Sequence, residues 1–176
     1  MALQSSGKIT LKEIAAEFGG DAPHGLKEYY RGGSYTTGNN TNVAVSPNLI
    51  GLKQFYSATN QFEFTVSTSQ QEMNLATYAT AQGWDGTAPV VMTVASGVYI
   101  WSDNTSVGGL TIPSSMNGLV TITNNGYIIG RGGNAGQAGG PALVNNATGV
   151  TLTNASGAFI AGGGGGADGA AGGGGA

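Results

Sequence analysis

Apolar and polar residues alternate in short runs over much of the chain, and this pattern predicts β-strands. Residues 61–66 alternate cleanly, with Phe62, Phe64 and Val66 on one face, as expected for a half-buried strand. The turn Asn124-Asn125-Gly126 favours a hairpin, because Asn and Gly both tolerate positive φ. Further runs of strand character, separated by turn residues, cover residues 90–95, 98–101, 110–112, 119–123 and 127–129.

A short motif of helical character occurs three times in the first third of the chain. Its copies are Leu11-Lys12-Glu13-Ile14, Leu26-Lys27-Glu28-Tyr29 and Leu52-Lys53-Gln54-Phe55. Thr10 and Glu13 form a capping box before the first copy, and Gly25 and Gly51 hold the equivalent place before the other two. Each copy predicts a helix of one or two turns, which is too short to be stable alone. The copies must therefore be held by one another or by a neighbouring protein.

One longer helix is predicted over residues 70–82. Ser69 and Glu72 form a second capping box at its start, and Gly83 closes it. Met73 and Ala76 share one face of this helix, which makes it amphipathic.

The last third of the chain repeats itself. Residues 121–129 return as residues 151–160 with one residue added in the turn, and each copy runs into a glycine tract. Glycine with a period of three fits an extended helix of three residues per turn, in which glycine alone permits close packing. Because proline is scarce in these tracts, a polyglycine type of helix bundle suits them better than collagen. The periodic positions are Gly130, Gly133, Gly136 and Gly139 in the first tract, and Gly163, Gly166, Gly169, Gly172 and Gly175 in the second.

These tracts also predict association. Glycine loses the most conformational freedom on folding and buries no side chain, so an isolated tract stays disordered. Two tracts are too few for a lattice within one chain. We therefore expect either that three chains assemble or that the natural chain continues past Ala176.

Composition supports a structural protein. Glycine accounts for 33 of 176 residues and charged residues for only 9 %, against averages of about 7 % and about 25 %. Most of the charged residues precede residue 84 and most of the glycines follow it, which predicts two regions of different character. A net charge of −3 is unlike the basic footprint of a nucleic-acid-binding protein. No signal peptide or apolar run of membrane-spanning length is visible, so we expect synthesis in a cytoplasm and no membrane insertion.

Candidate catalytic and metal-binding residues are few. His24 is the lone histidine and cysteine is absent, so the chain has few of the side chains that form catalytic triads or metal sites. Asp85 and Asp103 are typical of turn residues. Residues 130–135 match a dinucleotide-binding pattern, but the glycine-rich continuation cannot form the helix that this site requires. We therefore expect no catalytic residue, no cofactor and no metal.

Two other sets of side chains could take part in binding. Tyr99, Trp101 and Trp84 could stack on sugars, although aromatic residues in such runs more often belong to a core or an interface. Arg131 is the only basic residue after Lys53, so we expect it to have a specific partner, which would be an interchain carboxylate or carbonyl.

Four segments follow one another in a specific order in the first third of the chain. They are Leu3-Gln4-Ser5-Ser6-Gly7, Ile14-Ala15-Ala16-Glu17-Phe18-Gly19-Gly20, the run from Leu26 to Gly33, and Ile50, Leu52, Phe55 and Tyr56. In this order they resemble the N-terminal module of many tailed-phage virion proteins. The residues from Phe62 onward are similar in composition to glycine-rich segments of phage tail fibres and adhesins, including the polyglycine-sandwich receptor-binding tips of T-even-like phages.

The resemblance implies a docking module fixed to the particle and a fibre-like, receptor-facing part beyond it. We expect a mainly β, elongated fold with three parts: a short-helix docking module at 1–60, a small α+β or sandwich-like domain at 61–129, and a glycine-rich repeat at 130–176. The expected docking residues are Leu11, Ile14, Phe18, Leu26, Tyr29, Tyr30, Leu52 and Phe55. The expected glycine-packing residues are Gly130, Gly133, Gly136, Gly139, Gly163, Gly166 and Gly169.

The leading hypothesis is a non-enzymatic tail fibre or similar virion appendage that serves host attachment. Its expected partners are tail, baseplate or neck proteins, two further copies in a homotrimer, and a host surface receptor. One alternative is a polyglycine-type ice- or surface-binding protein, for which the N-terminal motifs would have no purpose. A third is a fragment of a polysaccharide-cleaving tailspike, whose long parallel-β repeats with inward carboxylates are not seen in this sequence.

Overall fold

The computed structural model describes residues 2–38 and 40–167, which form parts of two compact units. The first unit comprises Met1–Phe62 and Gly83–Pro89, and the second comprises Glu63–Gln82 and Val90–Ala176. The predicted positions Gly169, Gly172 and Gly175 lie outside the described residues.

The three motif copies form three short helices in the first unit. The first is the α-helix α1 (Leu11–Phe18), and the other two are 3-10 helices at Leu26–Tyr29 and Leu52–Phe55. The predicted capping box is confirmed, since the Glu13 amide donates to Thr10 Oγ1 at 3.3 Å and the Thr10 amide donates to Glu13 Oε2 at 2.7 Å.

Aromatic side chains hold these helices together. Phe55 meets Phe18 and Tyr29 edge-on, with ring centroids 6.0 Å and 6.4 Å apart. Ile14 is fully buried in the same cluster. The motif copies are therefore held by one another, which satisfies the requirement that their short length imposes.

The second unit is a parallel β-solenoid of about three turns, which confirms the prediction of a mainly β fold. We use "rung" for the strands that one turn contributes. The first rung holds β1 (Phe62–Val66), β2 (Gln70–Gln71) and β3 (Met73–Asn74). The second holds β4 (Val90–Val94), β5 (Tyr99–Trp101) and β6 (Leu110–Ile112). The third holds β7 (Val120–Asn124), β8 (Tyr127–Ile129) and β9 (Leu143–Asn145), and the fourth holds β10 (Thr151–Asn154) and β11 (Phe159–Ala161).

Equivalent strands of successive rungs stack into three parallel sheets, in the orders β1-β4-β7-β10, β2-β5-β8-β11 and β3-β6-β9. Inward-facing apolar side chains fill the space between the sheets. Met92 and Ile122 are in register and fully buried, as are Ile100 and Ile128 on the next face. Burial of these stacked side chains is the main favourable contribution to the fold.

The internal sequence repeat corresponds to the register of the solenoid. Thr121 pairs with Thr151, and Tyr127 pairs with Phe159. The offset between partners therefore grows from 30 to 32 residues, so the turn of the later copy holds two additional residues and not one.

The predicted helix over residues 70–82 starts five residues later than expected. It is α2 (Leu75–Ala81), and Asn74 caps it by accepting from the Thr77 amide at 3.2 Å. The preceding residues pair instead with the second rung, and Glu72 adopts a positive φ of 48° between β2 and β3. Pairing with the sheets and burial of Met73 override the local capping signal of Ser69 and Glu72.

The hairpin predicted at Asn124-Asn125-Gly126 is a solenoid corner. β7 and β8 lie in different sheets and do not pair with each other. The second unit is likewise a solenoid and not the sandwich-like domain expected from the sequence. Each strand finds its partner one rung away, about 30 residues along the chain, and not across the adjacent turn.

Candidate functional site

The eight expected docking residues divide into two groups by burial. Ile14, Phe18, Tyr29 and Phe55 are buried in the core of the first unit, where they stabilise the unit itself. The other four, Leu11, Leu26, Tyr30 and Leu52, are partly accessible.

Leu49, a large apolar residue that the described part of the first unit leaves highly exposed, was not among them. Leu49 is 92 % exposed, in a loop over residues 44–50 that we call the Leu49 loop, and Val45 of the same loop is also exposed. The sequence gives one signal for Leu49. It is an apolar residue followed by a second one, Ile50, in a stretch whose other residues are typical of a turn.

One side chain that follows a helical motif and one within another motif fix the Leu49 loop. The Tyr30 hydroxyl donates to the Asn48 carbonyl at 2.8 Å. The Gln54 amide donates to the Leu49 carbonyl at 3.2 Å and accepts from the Ala44 amide at 3.2 Å. These bonds hold the backbone on both sides of Leu49, so its side chain is presented in a defined position.

An exposed row of aromatic rings crosses one face of the solenoid. Tyr99, Tyr127 and Phe159 occupy equivalent positions on β5, β8 and β11, and we call them the aromatic stack. The centroids of Tyr99 and Tyr127 are 4.7 Å apart, and those of Tyr127 and Phe159 are 5.8 Å apart, with ring planes inclined by 27° and 10°. Tyr99 is 46 % exposed and Phe159 is 59 % exposed.

A depression of about 460 Å³ adjoins the aromatic stack. The outward side chains of the third and fourth rungs form one wall, and glycine backbone forms the other. The lining consists of Tyr127, Ile129, Phe159 and Ala161 with Gly130, Gly132, Gly162, Gly163 and Gly164.

The glycine-rich stretches lie beside one another as three extended segments of the same chain. The first tract runs out, turns at Gly136, where φ is 69°, and returns. The second tract, after β11, supplies the third segment, and Gly166 forms a parallel bridge with Ala135. We call them the outgoing segment (130–134), the returning segment (137–140) and the third segment (162–166).

Backbone hydrogen bonds connect these segments in a closed cycle. The outgoing segment donates to the third, the third donates to the returning, and the returning donates to the outgoing. The bonds run from the Gly133 amide to the Gly164 carbonyl (2.8 Å), from Gly163 to Gly140 (2.8 Å) and from Gly140 to Arg131 (2.7 Å). The expectation that two tracts are too few to pair within one chain does not hold for these residues, because the first tract folds back and provides two of the three segments.

Most of the expected packing glycines sit where no side chain fits. A Cβ atom would lie within 2.2 Å of a backbone carbonyl oxygen at Gly130, Gly133, Gly139, Gly163 and Gly166. Other glycines of the same segments have room, since a Cβ atom at Gly132 or Gly162 would come no closer than 3.7 Å or 3.6 Å to a neighbouring carbonyl oxygen.

Arg131 has its partner within the chain. Its guanidinium Nη1 donates to the Asp103 carbonyl oxygen, which replaces the interchain partner expected from the sequence. The bond ties the outgoing segment to the loop that follows β5.

The residues weighed for catalysis are engaged in local structure. His24 Nδ1 lies 3.2 Å from the Tyr29 hydroxyl, and burial raises the pKa of that tyrosine. Asp85 accepts from the amides of Thr87 and Ala88 at 2.9 Å and 3.0 Å. Burial alone would raise the pKa of Asp85, but these hydrogen bonds and one from the Thr87 hydroxyl outweigh it and hold the pKa below its ordinary value. Among the described residues no group of three or more His, Cys, Asp and Glu side chains could hold a metal ion.

The second unit is also where the chain matches a known family. The family model described as "Phage tail fibre adhesin Gp38" matches residues 61–176. The chain belongs to this family. It is therefore a structural component of a phage tail appendage that serves host attachment, which makes it part of the virion.

The match begins at the solenoid and leaves the first unit's three helices outside it. No match was found among curated protein sequences or among solved structures. Within the described part of the chain, none of the helices has the length and apolar character needed to cross a membrane.

Proposed function

We propose that the chain anchors to the particle through its first unit and presents its solenoid and glycine-rich region toward the host. The observation that carries the anchoring role is the exposed side chain of Leu49, held on a fixed loop of a unit that has its own core.

Exposure of a leucine on a loop fixed by hydrogen bonds favours a contact with another protein. The first unit buries its aromatic core without Leu49, so this side chain contributes nothing to the unit's own folding. A backbone that is already fixed loses less conformational entropy on binding, and burial of the exposed leucine removes its apolar surface from water. The partner that fits this surface is another virion protein with an apolar pocket.

The glycine-rich segments suit a scaffold role. Three segments with cyclic hydrogen bonds and close backbone contacts support a polyglycine-type helix bundle, in which the glycines provide packing and other residues provide specificity. The homotrimer in this proposal rests on the fibre context alone, because the glycine segments pair within one chain and do not require further copies. A non-enzymatic role accords with the family, whose members are adhesins.

The anchoring role is tested by the variant Leu49→Asp, with Lys12→Ala as the matched control. Both residues are exposed in the first unit, so both variants should fold and melt as the wild type does. Particles grown with Leu49→Asp should lack the protein, as measured by quantitative mass spectrometry of purified virions, whereas Lys12→Ala particles should carry it in full. Full incorporation of a folded Leu49→Asp protein would refute anchoring through this loop.

A further inference from the structure

We propose that the aromatic stack and the adjoining depression form a binding site for a neutral glycan, with one hexose ring packed against Phe159. This inference rests on the proposed role in host attachment and names the chemical class of the receptor.

The end of the aromatic stack provides an apolar platform. Tyr127 covers one face of the Phe159 ring in a nearly parallel arrangement, yet more than half of Phe159 stays exposed. Phe159 also lines the depression, so a ligand bound there can reach the ring. The apolar C–H face of a hexose packs well on such a ring, since it removes apolar surface of both partners from water.

The glycine wall of the depression provides hydrogen-bonding groups. Gly132 and Gly162 are exposed, and within the described part of the chain their amide groups donate no hydrogen bond. Because these residues carry no side chain, a ligand hydroxyl can approach their backbone closely. Sugar hydroxyls both donate and accept, so they match exposed amides and carbonyls alike.

The charge of the depression selects among ligands. None of its nine lining residues is ionisable in the side chain apart from the phenol of Tyr127. An anionic sugar would find no cationic partner there and would lose part of its hydration without compensation. The volume of about 460 Å³ falls in the range of small-ligand pockets, roughly 300–1,000 Å³. A neutral oligosaccharide therefore fits better than an acidic one.

Titration of the purified full chain with neutral malto-, cello- and galacto-oligosaccharides, followed by calorimetry, tests the site directly. We expect saturable binding of at least one of these sugars and a change in the emission of Trp101, which lies in register with Ile129 of the depression. An acidic sialyl-oligosaccharide should bind more weakly.

Variants of Phe159 identify where the sugar binds. Phe159→Ala should weaken binding by about fivefold or more, because it removes the stacking platform. Phe159→Tyr should retain binding, since it keeps the ring. Lys12→Ala serves as the control for loss of an exposed side chain outside this site. Unchanged melting of the three variants establishes that each is folded.

Three results would overturn the proposal: binding of none of the sugars, equal affinity of Phe159→Ala and wild type, or preference for the acidic sugar. Particle adsorption separates this failure from failure of the proposed function. If Phe159→Ala particles carry the protein and adsorb normally, and adsorption resists removal of cell-surface glycans, the receptor is a protein and attachment still stands. If particles that lack the whole chain adsorb normally, the host-attachment role itself fails.

Discussion

Asn124 and Asn154 occupy equivalent corners of successive rungs, and Asn124 Nδ2 donates to Asn154 Oδ1 at 2.7 Å. Asn124 is fully buried and also accepts from the Gly126 amide at 3.2 Å. One side chain thus bonds the next rung and its own corner, which fixes the direction in which the chain leaves β7.

Replacement of this buried asparagine should destabilise the solenoid. Asn124→Ala leaves the Gly126 amide and Asn154 Oδ1 without the Asn124 side chain as their partner, which should cost about 1–3 kcal/mol. The control Asn146→Ala changes an exposed asparagine whose side chain makes no hydrogen bond among the described residues, so it should stay within about 0.5 kcal/mol of wild type. Urea unfolding followed by circular dichroism measures both. Equal stability of the two variants would show that the corner bonds contribute nothing.

Two nearby glycines of the third segment should respond to alanine with opposite signs. A Cβ atom at Gly163 would lie 1.7 Å from the Arg131 carbonyl oxygen, so Gly163→Ala must displace backbone and should cost about 1–3 kcal/mol or more. At Gly162 the nearest atom is 3.6 Å away and φ is not positive. Gly162→Ala should therefore be neutral or stabilise by up to about 1 kcal/mol, because it restricts the unfolded chain.

Thermal melting and hydrogen exchange across residues 130–140 measure this pair of variants. Gly163→Ala should lower the melting temperature and the protection of these amides, whereas Gly162→Ala should preserve both. A Gly163→Ala protein that melts as the wild type does would mean that the three segments are not closely packed.

Asp85 should make the stability of the first unit depend on pH. Its pKa is lowered in the folded state, so its contribution to stability is present above the pKa of the unfolded chain, about 4. That contribution is lost as the pH falls through the lower pKa of the folded state. Asp85→Asn removes this titration, so the variant should be less stable than wild type at pH 7 and should approach it at about pH 2.

The emission of Trp84 reports on this unit, because its indole donates to the Ala88 carbonyl at 2.7 Å beside the Asp85 turn. Wild type and Asp85→Asn are each unfolded with urea at a series of pH values. Both carry Trp101→Phe, which leaves Trp84 as the only tryptophan. A constant difference between the two stability curves from pH 2 to pH 7 would contradict the assignment to Asp85.

Several elements could be predicted from local sequence because local physics determines them. The capping box joins Thr10 to Glu13, three positions further along the chain, so it needs no tertiary contact. The runs at 110–112 and 127–129 coincide with β6 and β8. The repeat of residues 121–129 at 151–160 corresponds to strands that stack in register, since equal side chains in successive rungs meet one another.

Other elements depended on contacts between residues far apart in the chain. Residues 70–74 carry a helix-start signal, yet they pair with Ile100, Trp101 and Leu110. Pairing with a formed strand is more favourable than forming the first turn of an isolated helix, which is costly to nucleate. The aromatic stack could not be predicted from local pattern either. Tyr99 and Phe159 are 60 positions apart and become neighbours of Tyr127 only when three rungs stack.

The sequence by itself determined many of the strand positions, the helix cap at Thr10, the repeat and the glycine spacing, all of which follow from steric preferences and periodicity within a few residues. The tertiary structure alone decided that strands pair between rungs and not across turns, that three glycine segments of one chain satisfy one another, and that Leu49 is exposed while Phe55 is buried. The physical reason is that burial and backbone pairing are properties of the assembled chain. Two apolar positions such as these differ in which neighbours the fold brings to them.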